Sequence, residues 1–373
     1  MKLVLHAGTH KTATTSIQHF CALNHAALRK CGYYYPRVDV SAYVANSLAS
    51  RLAYGREAEV AASLRRARRD AAKAGCHTIV LSAESFYAMT ACFIDIPGRP
   101  RDDYWANEQR LIEKMRDCCE GLDVRVVAYL RPQDEFASSL YNQLVKNVFG
   151  IDRSYEEFIG ALRPAFDYQG HFALWEEIFG SDHVRLRNFL TCRDRIITDF
   201  CETALEGKCL DEAAKSELFS NTRLTRDVLE VKRIFNRTKP DRSLAFVAAR
   251  AFARIADDMP DRPGYQVFAT SDARRRHFAE FEQGNASLAE RHGLGRLLTV
   301  ESTAEPTYPG LTMDRAVEVY LRYRMAMDRP RPRAELALRR FANLLKAKVP
   351  GGGRLLRPVQ KANNYVRLRL DGF

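Results

Sequence analysis

Short apolar runs alternate along the first half of the chain with longer stretches in which apolar side chains recur every three or four positions. The short runs, rich in Val, Leu and Ile, predict β-strands at Leu3 to His6, Thr78 to Ser82, Arg125 to Leu130 and Val184 to Phe189. The amphipathic stretches predict helices at Thr14 to Lys30, Glu57 to Ala74, Ala106 to Cys119, Asp134 to Asn147 and Tyr168 to Phe179. Strands separated by long helices need crossover connections, so the pattern predicts an α/β fold with a doubly wound, mostly parallel sheet. After about residue 195 the β signal fades, and a mainly helical C-terminal region is expected. Its helices are Asp194 to Leu205, Thr225 to Asn236, Leu244 to Asp257, Ala273 to His292 and Met313 to Met327, with Pro260, Pro263, Pro306 and Pro309 marking loops. The expected division is a core over 1–205, a helical continuation of the same domain over 206–328, and a tail over 329–373.

Composition narrows the classes. With 373 residues and 46% hydrophobic content, the chain can bury one large core. The net charge of +12 would suggest a nucleic-acid partner, but nine arginines and three lysines, set against Glu335 and Asp371, fall in the tail. The rest is close to neutral, so no nucleic acid is expected. Nine cysteines, at 21, 31, 76, 92, 118, 119, 192, 201 and 209, show no CxxC or Cys/His spacing and read as free buried thiols. Met1 and Lys2 run straight into an apolar strand, leaving no room for a signal core, and no stretch has the length of a spanning helix. A cytoplasmic location is the expectation. Within the tail, Leu338, Phe341 and Leu345 form a stripe between Arg339, Arg340, Lys346 and Lys348 over 334–349. A basic amphipathic helix of this kind either packs on the core or makes a peripheral contact at the inner face of a membrane.

Candidate chemistry begins where the first strand ends. Leu3-Val4-Leu5-His6 leads into Ala7-Gly8-Thr9-His10-Lys11-Thr12-Ala13-Thr14-Thr15-Ser16 and then an amphipathic helix. A P-loop-like turn follows: N–H groups at the helix start and the Lys11 cation favour a phosphate. The residue before Lys11 is His10 where a Walker A loop has glycine, so the loop is short and suits one phosphate at the helix tip. A second site is predicted at Arg131, past the strand Arg125 to Leu130 and followed by Pro132 and by Asp134 as N-cap. Ser139 lies eight residues on in the helix. One guanidinium and one hydroxyl suit a terminal phosphate.

The run His-x-Gly-x-x-Lys-Thr-x-Thr-Thr-Ser resembles the 5′-phosphosulfate loop of the sulfotransferases that use 3′-phosphoadenosine 5′-phosphosulfate (PAPS), especially their bacterial branch. The resemblance implies that Lys11 bonds the bridging oxygen of the departing phosphate, while Gly8, Thr12, Ala13, Thr14, Thr15 and Ser16 hold the 5′-phosphate. Many members have glycine at the position of Ala13; a methyl group fits helical dihedrals, so only local repacking is expected there. Arg131 and Ser139 match the family's 3′-phosphate motif. Asp167-Tyr168, Leu174-Trp175, Ile178-Phe179-Gly180 and Val184 to Phe189 also look like the family, and the likeness covers about residues 1–236. Arg223 and Arg226 are weak candidates for a further basic element of the 3′-phosphate site.

Transfer requires a base for the acceptor proton. Glu84, just past the strand Thr78 to Ser82, is preferred, as similar glutamates serve in the polysaccharide branch; His10 is the competitor. Tyr141, Asn142 and Lys146 either line an acceptor cleft or pack and are solvated. The acceptor is a hydroxyl or amine of a glycan, a lipid head group or a small metabolite, held near the variable helical segments 40–75 and 149–166. No metal is expected to be needed. Two other readings stay open: a P-loop kinase-like phosphotransferase acting on a small hydroxyl substrate with Mg²⁺ and ATP, and a non-catalytic nucleotide-binding protein.

Overall fold

Five strands lie parallel in the order β2-β3-β1-β4-β5, with β1 Lys2–His6, β2 Tyr33–Tyr34, β3 Thr78–Ser82, β4 Asp123–Leu130 and β5 Val184–Asn188. The computed structural model describes residues 1–9, 12–36, 44–92, 103–148, 150–208, 223–259, 271–295, 308, 310–328, 332–333 and 336. The strand β1 is central, and its register sets His6 beside both Ser82 and Val127. Alternate residues point to opposite faces. Val4, Val80, Val127 and Tyr129 pack on one face with Ile17, Phe20, Cys21, Phe200 and Cys201, while Leu3, Leu5, Ile79 and Leu81, on the other face, are buried as completely. Burial on both faces is why these strands read as unbroken apolar runs. The helices Thr14–Leu23 and Ile196–Ala204 contact one another; Glu57–Lys73, Tyr104–Cys118 and Tyr168–Phe179 form a second contiguous set.

The four predicted strands are present within two residues at each end, and β2 is an addition, paired with Thr78 and Ile79. Two predicted helices are each divided. Thr14–Leu23 and His25–Lys30 are separated at Asn24, whose backbone N–H and side-chain amide both donate to Phe20 O at 3.0 Å while its carbonyl accepts from Leu28 N–H. Ser271–Ala279 and Glu282–His292 replace the single predicted helix there. The helices Val44–Ala53 and Tyr155–Leu162 lie in the segments expected to vary.

By contacts the chain divides into two units that do not follow the expected boundary at 205. The first comprises 1–137, 159–218 and 274–302; the second comprises 138–158, 219–273 and 303–373. In the first, the returning segment is tied to the residues after β4. Gln133 and Asn285 exchange amide hydrogen bonds at 2.8 and 2.9 Å, and buried Asp134 pairs with Arg274. That pair replaces the expected N-cap role of Asp134, and the helix Gln133–Lys146 begins directly after Pro132.

In the second unit, Arg226–Arg237, Arg242–Asp258 and Met313–Asp328 pack around the rings of Phe235, Phe252 and Tyr323, with Phe252 stacked on Tyr323 at 4.9 Å. Asp241 caps the second of these helices through the N–H groups of Ser243 and Leu244. Lys232 is fully buried; its Nζ donates to Asn236 Oδ1 and to Asn147 O at 3.4 Å. Asn236 in turn donates to the carbonyls of Val145 and Ile151. Of the described cysteine side chains, all are free: 21, 76, 119, 192 and 201 buried, 31 and 118 partly so. Burial pushes the thiols of Cys119, Cys192 and Cys201 up to about 12.

Burial without a carboxylate partner pushes the Lys232 ammonium down to about 8. The folded chain therefore releases this proton at lower pH than the unfolded chain does. The cost of the buried cation is fully present below about pH 8 and disappears as pH rises towards the ordinary lysine value near 10.4. Replacing Lys232 by Met should remove a stability gain on the order of 3 kcal/mol across that window. Thermal unfolding of both proteins from pH 7 to 10.5 checks it: the wild-type curve should rise relative to the variant's, and parallel curves would disprove the shift.

Candidate functional site

The end of β1 is built around a buried, neutral imidazole. His6 Nδ1 lies 2.8 Å from Ser82 Oγ at the end of β3, its ring stands edge-on to Tyr129 at 5.6 Å, and burial pushes its pKa down to about 3. Two residues on, a Cβ at Gly8 would come within 2.5 Å of Thr14 Oγ1 and 3.2 Å of His6 Nε2, so only glycine lets the backbone pass. Thr9 then donates from its buried hydroxyl to Tyr129 O at 2.7 Å, and Thr12 donates to Thr9 O at 2.6 Å. The loop is thereby fastened to β4 before the helix Thr14–Leu23 begins. On the far side of that helix's first turn, Gln18 donates to Ser82 O at 2.8 Å.

Ala13 departs from expectation. Its φ of 60° and ψ of 24° are left-handed, not helical, so the methyl group sits where glycine is favoured. The step from left-handed Ala13 to right-handed Thr14 turns successive N–H groups toward one concavity, a geometry that binds anions. Ala13 supplies no side-chain cap to the helix. Thr14 is buried, yet its Oγ1 has no hydrogen-bond partner among the described residues, and the same holds for His6 Nε2. Thr15 is half-buried and Ser16 buried. His10 and Lys11 lie outside the described residues.

Arg131 follows the last residue of β4 and is largely buried at 15% side-chain exposure, with its guanidinium paired to Glu135 and 5.6 Å from the Phe189 ring centre. Tyr168 steadies the residue after β4: its hydroxyl donates to Arg131 O at 2.9 Å. Glu84 opens a short 3-10 turn after β3, half-buried, one residue past Ala83, whose N–H donates to His6 O at 3.0 Å. Gly8, Glu84 and Arg131 thus stand on one edge of the sheet, at the carboxyl ends of β1, β3 and β4. The connection from β1 leaves toward β2 and that from β4 toward β5, so the crevice between these neighbours is the sheet's switch point, where open α/β sheets take ligands.

Ser139 is half-exposed in the part of its helix that belongs to the second unit. Other residues considered for binding have packing roles within that unit. The Tyr141 hydroxyl donates to Arg153 O, Asn142 exchanges hydrogen bonds with the Leu224 backbone, and Arg226 pairs with Glu230 and stacks 4.7 Å over Tyr308. Arg223 is exposed. The roles of His6, Thr9 and Tyr168 were not anticipated; Asp167-Tyr168 had been singled out only as part of a family likeness.

Among the described residues no group of three or more His, Cys, Asp or Glu side chains is placed to hold a metal ion, and no helix is long and apolar enough to cross a membrane. Comparison with protein-family models, curated proteins and solved structures found no match.

The left-handed Ala13 has a measurable cost. An L-residue there sacrifices about 1–2 kcal/mol, part of which glycine gives back through its larger unfolded-state entropy. Ala13→Gly should stabilise the protein by up to about 1 kcal/mol, and Ala13→Val, β-branched, should destabilise it by more than that. Urea unfolding of both variants tests this; a destabilised Ala13→Gly would mean that position 13 is helical after all.

Proposed function

We propose that this chain is a sulfotransferase that moves a sulfuryl group from PAPS to a hydroxyl or amine acceptor. The observation that carries the reading is a helix start at the sheet's switch point whose N-cap, Ala13, offers no side-chain cap, beside a buried threonine hydroxyl with no partner among the described residues. A dianionic phosphate answers both needs. It accepts from the helix N–H groups and from Thr14 Oγ1, with charge favoured by the helix dipole. The likeness of Gly8 to Ser16 to a phosphosulfate loop supports PAPS as the donor.

In this reading the acceptor oxygen or nitrogen attacks sulfur as the bond to the bridging oxygen of the 5′-phosphate breaks. Lys11 neutralises the charge arriving on that oxygen, and the helix N–H groups stabilise the departing phosphate. Glu84 takes the acceptor proton, being on the same edge of the sheet two residues beyond the His6 partner Ser82. Arg131 anchors the 3′-phosphate, exchanging its Glu135 pairing for the more highly charged ligand. Tyr168, whose hydroxyl donates to the Arg131 carbonyl, steadies the residue that holds the 3′-phosphate. His6, kept neutral, adds no competing cation beneath the loop.

Ligand-dependent thermal shifts test the donor. With EDTA present, 3′-phosphoadenosine 5′-phosphate at about 100 times its Kd should add roughly 2.7 kcal/mol of stability. Adenosine 5′-phosphosulfate, lacking the 3′-phosphate, should bind at least about tenfold more weakly, and Arg131→Ala should erase that difference. Stabilisation by ATP with Mg²⁺, and none by the bisphosphate, would replace this reading with a phosphotransferase. Lys11→Ala should abolish transfer in a folded protein.

The base is tested by pH–rate profiles. Glu84→Gln should lose the acidic limb and about 10²- to 10⁴-fold in rate, whereas His10→Asn should retain the limb. The reverse outcome would assign the proton to His10.

A further inference from the structure

The turn that carries Glu84 is fixed at both ends. Upstream, Ala83 N–H donates to His6 O at 3.0 Å, which ties the turn to the central strand. Along the turn itself, Tyr87 N–H donates to Glu84 O at 3.2 Å, and Ser85 Oγ donates to Asn46 Oδ1 at 3.1 Å on the helix Val44–Ala53. Downstream, Ala88 is left-handed at φ 52°, and the next two N–H groups share one side chain. Met89 donates to Glu108 Oε1 at 2.9 Å and Thr90 to Glu108 Oε2 at 2.7 Å.

Glu108 lies one turn into the helix Tyr104–Cys118, and its side chain is fully buried. Burying a carboxylate is costly unless its oxygens are hydrogen-bonded, and here each oxygen accepts from a main-chain donor. His171 Nδ1 stands 3.7 Å from Oε1, but burial pushes its pKa down to about 3, so the imidazole brings no charge. The segment after Glu84 needs such an anchor. Its helix, Met89–Cys92, has only four residues and leaves its first N–H groups without partners of its own. A carboxylate serves both donors, whereas a glutamine would set its own amide N–H groups against one of them.

We propose that Glu108 is a positioning residue for the transfer step: by clamping the N–H groups of Met89 and Thr90 it fixes the far end of the Glu84 turn, and with it the place of the Glu84 carboxylate beside the acceptor. The inference rests on the transferase reading and on Glu84 as its base. Being fully buried, Glu108 acts through Glu84 and not on a reactant. The donor nucleotide is held by other segments, the loop after β1 and Arg131, so loss of the clamp should slow transfer and leave nucleotide binding alone.

Transfer of labelled sulfate from PAPS by the full-length protein tests it, with 4-nitrophenol, glucosamine and phosphatidylglycerol as acceptor probes and the best of them used for every variant. Glu108→Gln should lower kcat about 10- to 100-fold, with KM for PAPS and affinity for 3′-phosphoadenosine 5′-phosphate within about twofold of the wild type. Added to Glu84→Gln, it should cost less than about twofold more, since the clamp then has no base to place. Should Glu108→Gln fail to fold, Glu108→Asp, which draws the carboxylate back by one methylene, carries the same expectation. Unchanged kcat overturns the proposal. So does a further loss of about tenfold in the double variant, or nucleotide affinity that falls together with kcat. Failure of both Glu108 variants to fold also overturns it, because the residue would then hold the whole unit and not the turn. No transfer by the wild type to any probe defeats the transferase reading, and full rate in Glu84→Gln defeats its base and this inference with it; both results are seen before Glu108 is altered.

Discussion

Everything at the candidate site depends on how closely the backbone passes Thr14 and His6 at Gly8. The central strand is held by neighbours on both sides, so its end cannot shift to relieve crowding. With no Cβ at that point, the chain can turn between an imidazole and a helix start and still leave room for the buried threonine hydroxyl. Neutrality of His6 follows from the same enclosure: a ring sealed from water beneath the loop cannot keep a proton that lacks a counter-ion.

Outward from this contact, rigidity is supplied by short hydrogen bonds to main-chain oxygens. Thr9 to Tyr129 fastens the loop to a strand end, Thr12 to Thr9 closes the loop on itself, and Tyr168 to Arg131 ties a helix start to the residue after β4. Below them the Tyr129 hydroxyl donates to buried Asp199, which Arg187 also binds. A loop fixed in this way has little freedom left to lose, the condition under which most of a ligand's interaction energy would remain as affinity.

The sequence made the sheet legible because its strands are buried on both faces, and continuous runs such as Thr78 to Ser82 have no other stable setting. β2 escaped notice because two residues, Tyr33 and Tyr34, give no period to read. The break at Asn24 was equally silent, since it involves neither proline nor glycine and depends on one amide side chain doubling as a cap. At the site, residue types were readable but their conformations were not. A run of hydroxyl residues after Lys11 announces a helix start, whereas nothing in Ala13 announces a left-handed backbone, the least favoured place for a Cβ. For Tyr141 and Asn142 the sequence left cleft lining and packing equally open, and the structure takes the second: their side chains are spent on main-chain groups of Arg153 and Leu224.

The link between the residues following β4 and the segment 274–302 bears on how the protein is made. Asp134 and Gln133 emerge from a ribosome well before their partners Arg274 and Asn285, some 140 to 152 residues later. Until those arrive, a carboxylate and an amide destined for the interior remain hydrated, and the sheet can assemble only provisionally around them. Completion of the packing behind the carboxyl ends of the strands is therefore a late event in synthesis. Chains arrested before about residue 295 would be candidates for capture by chaperones or proteases.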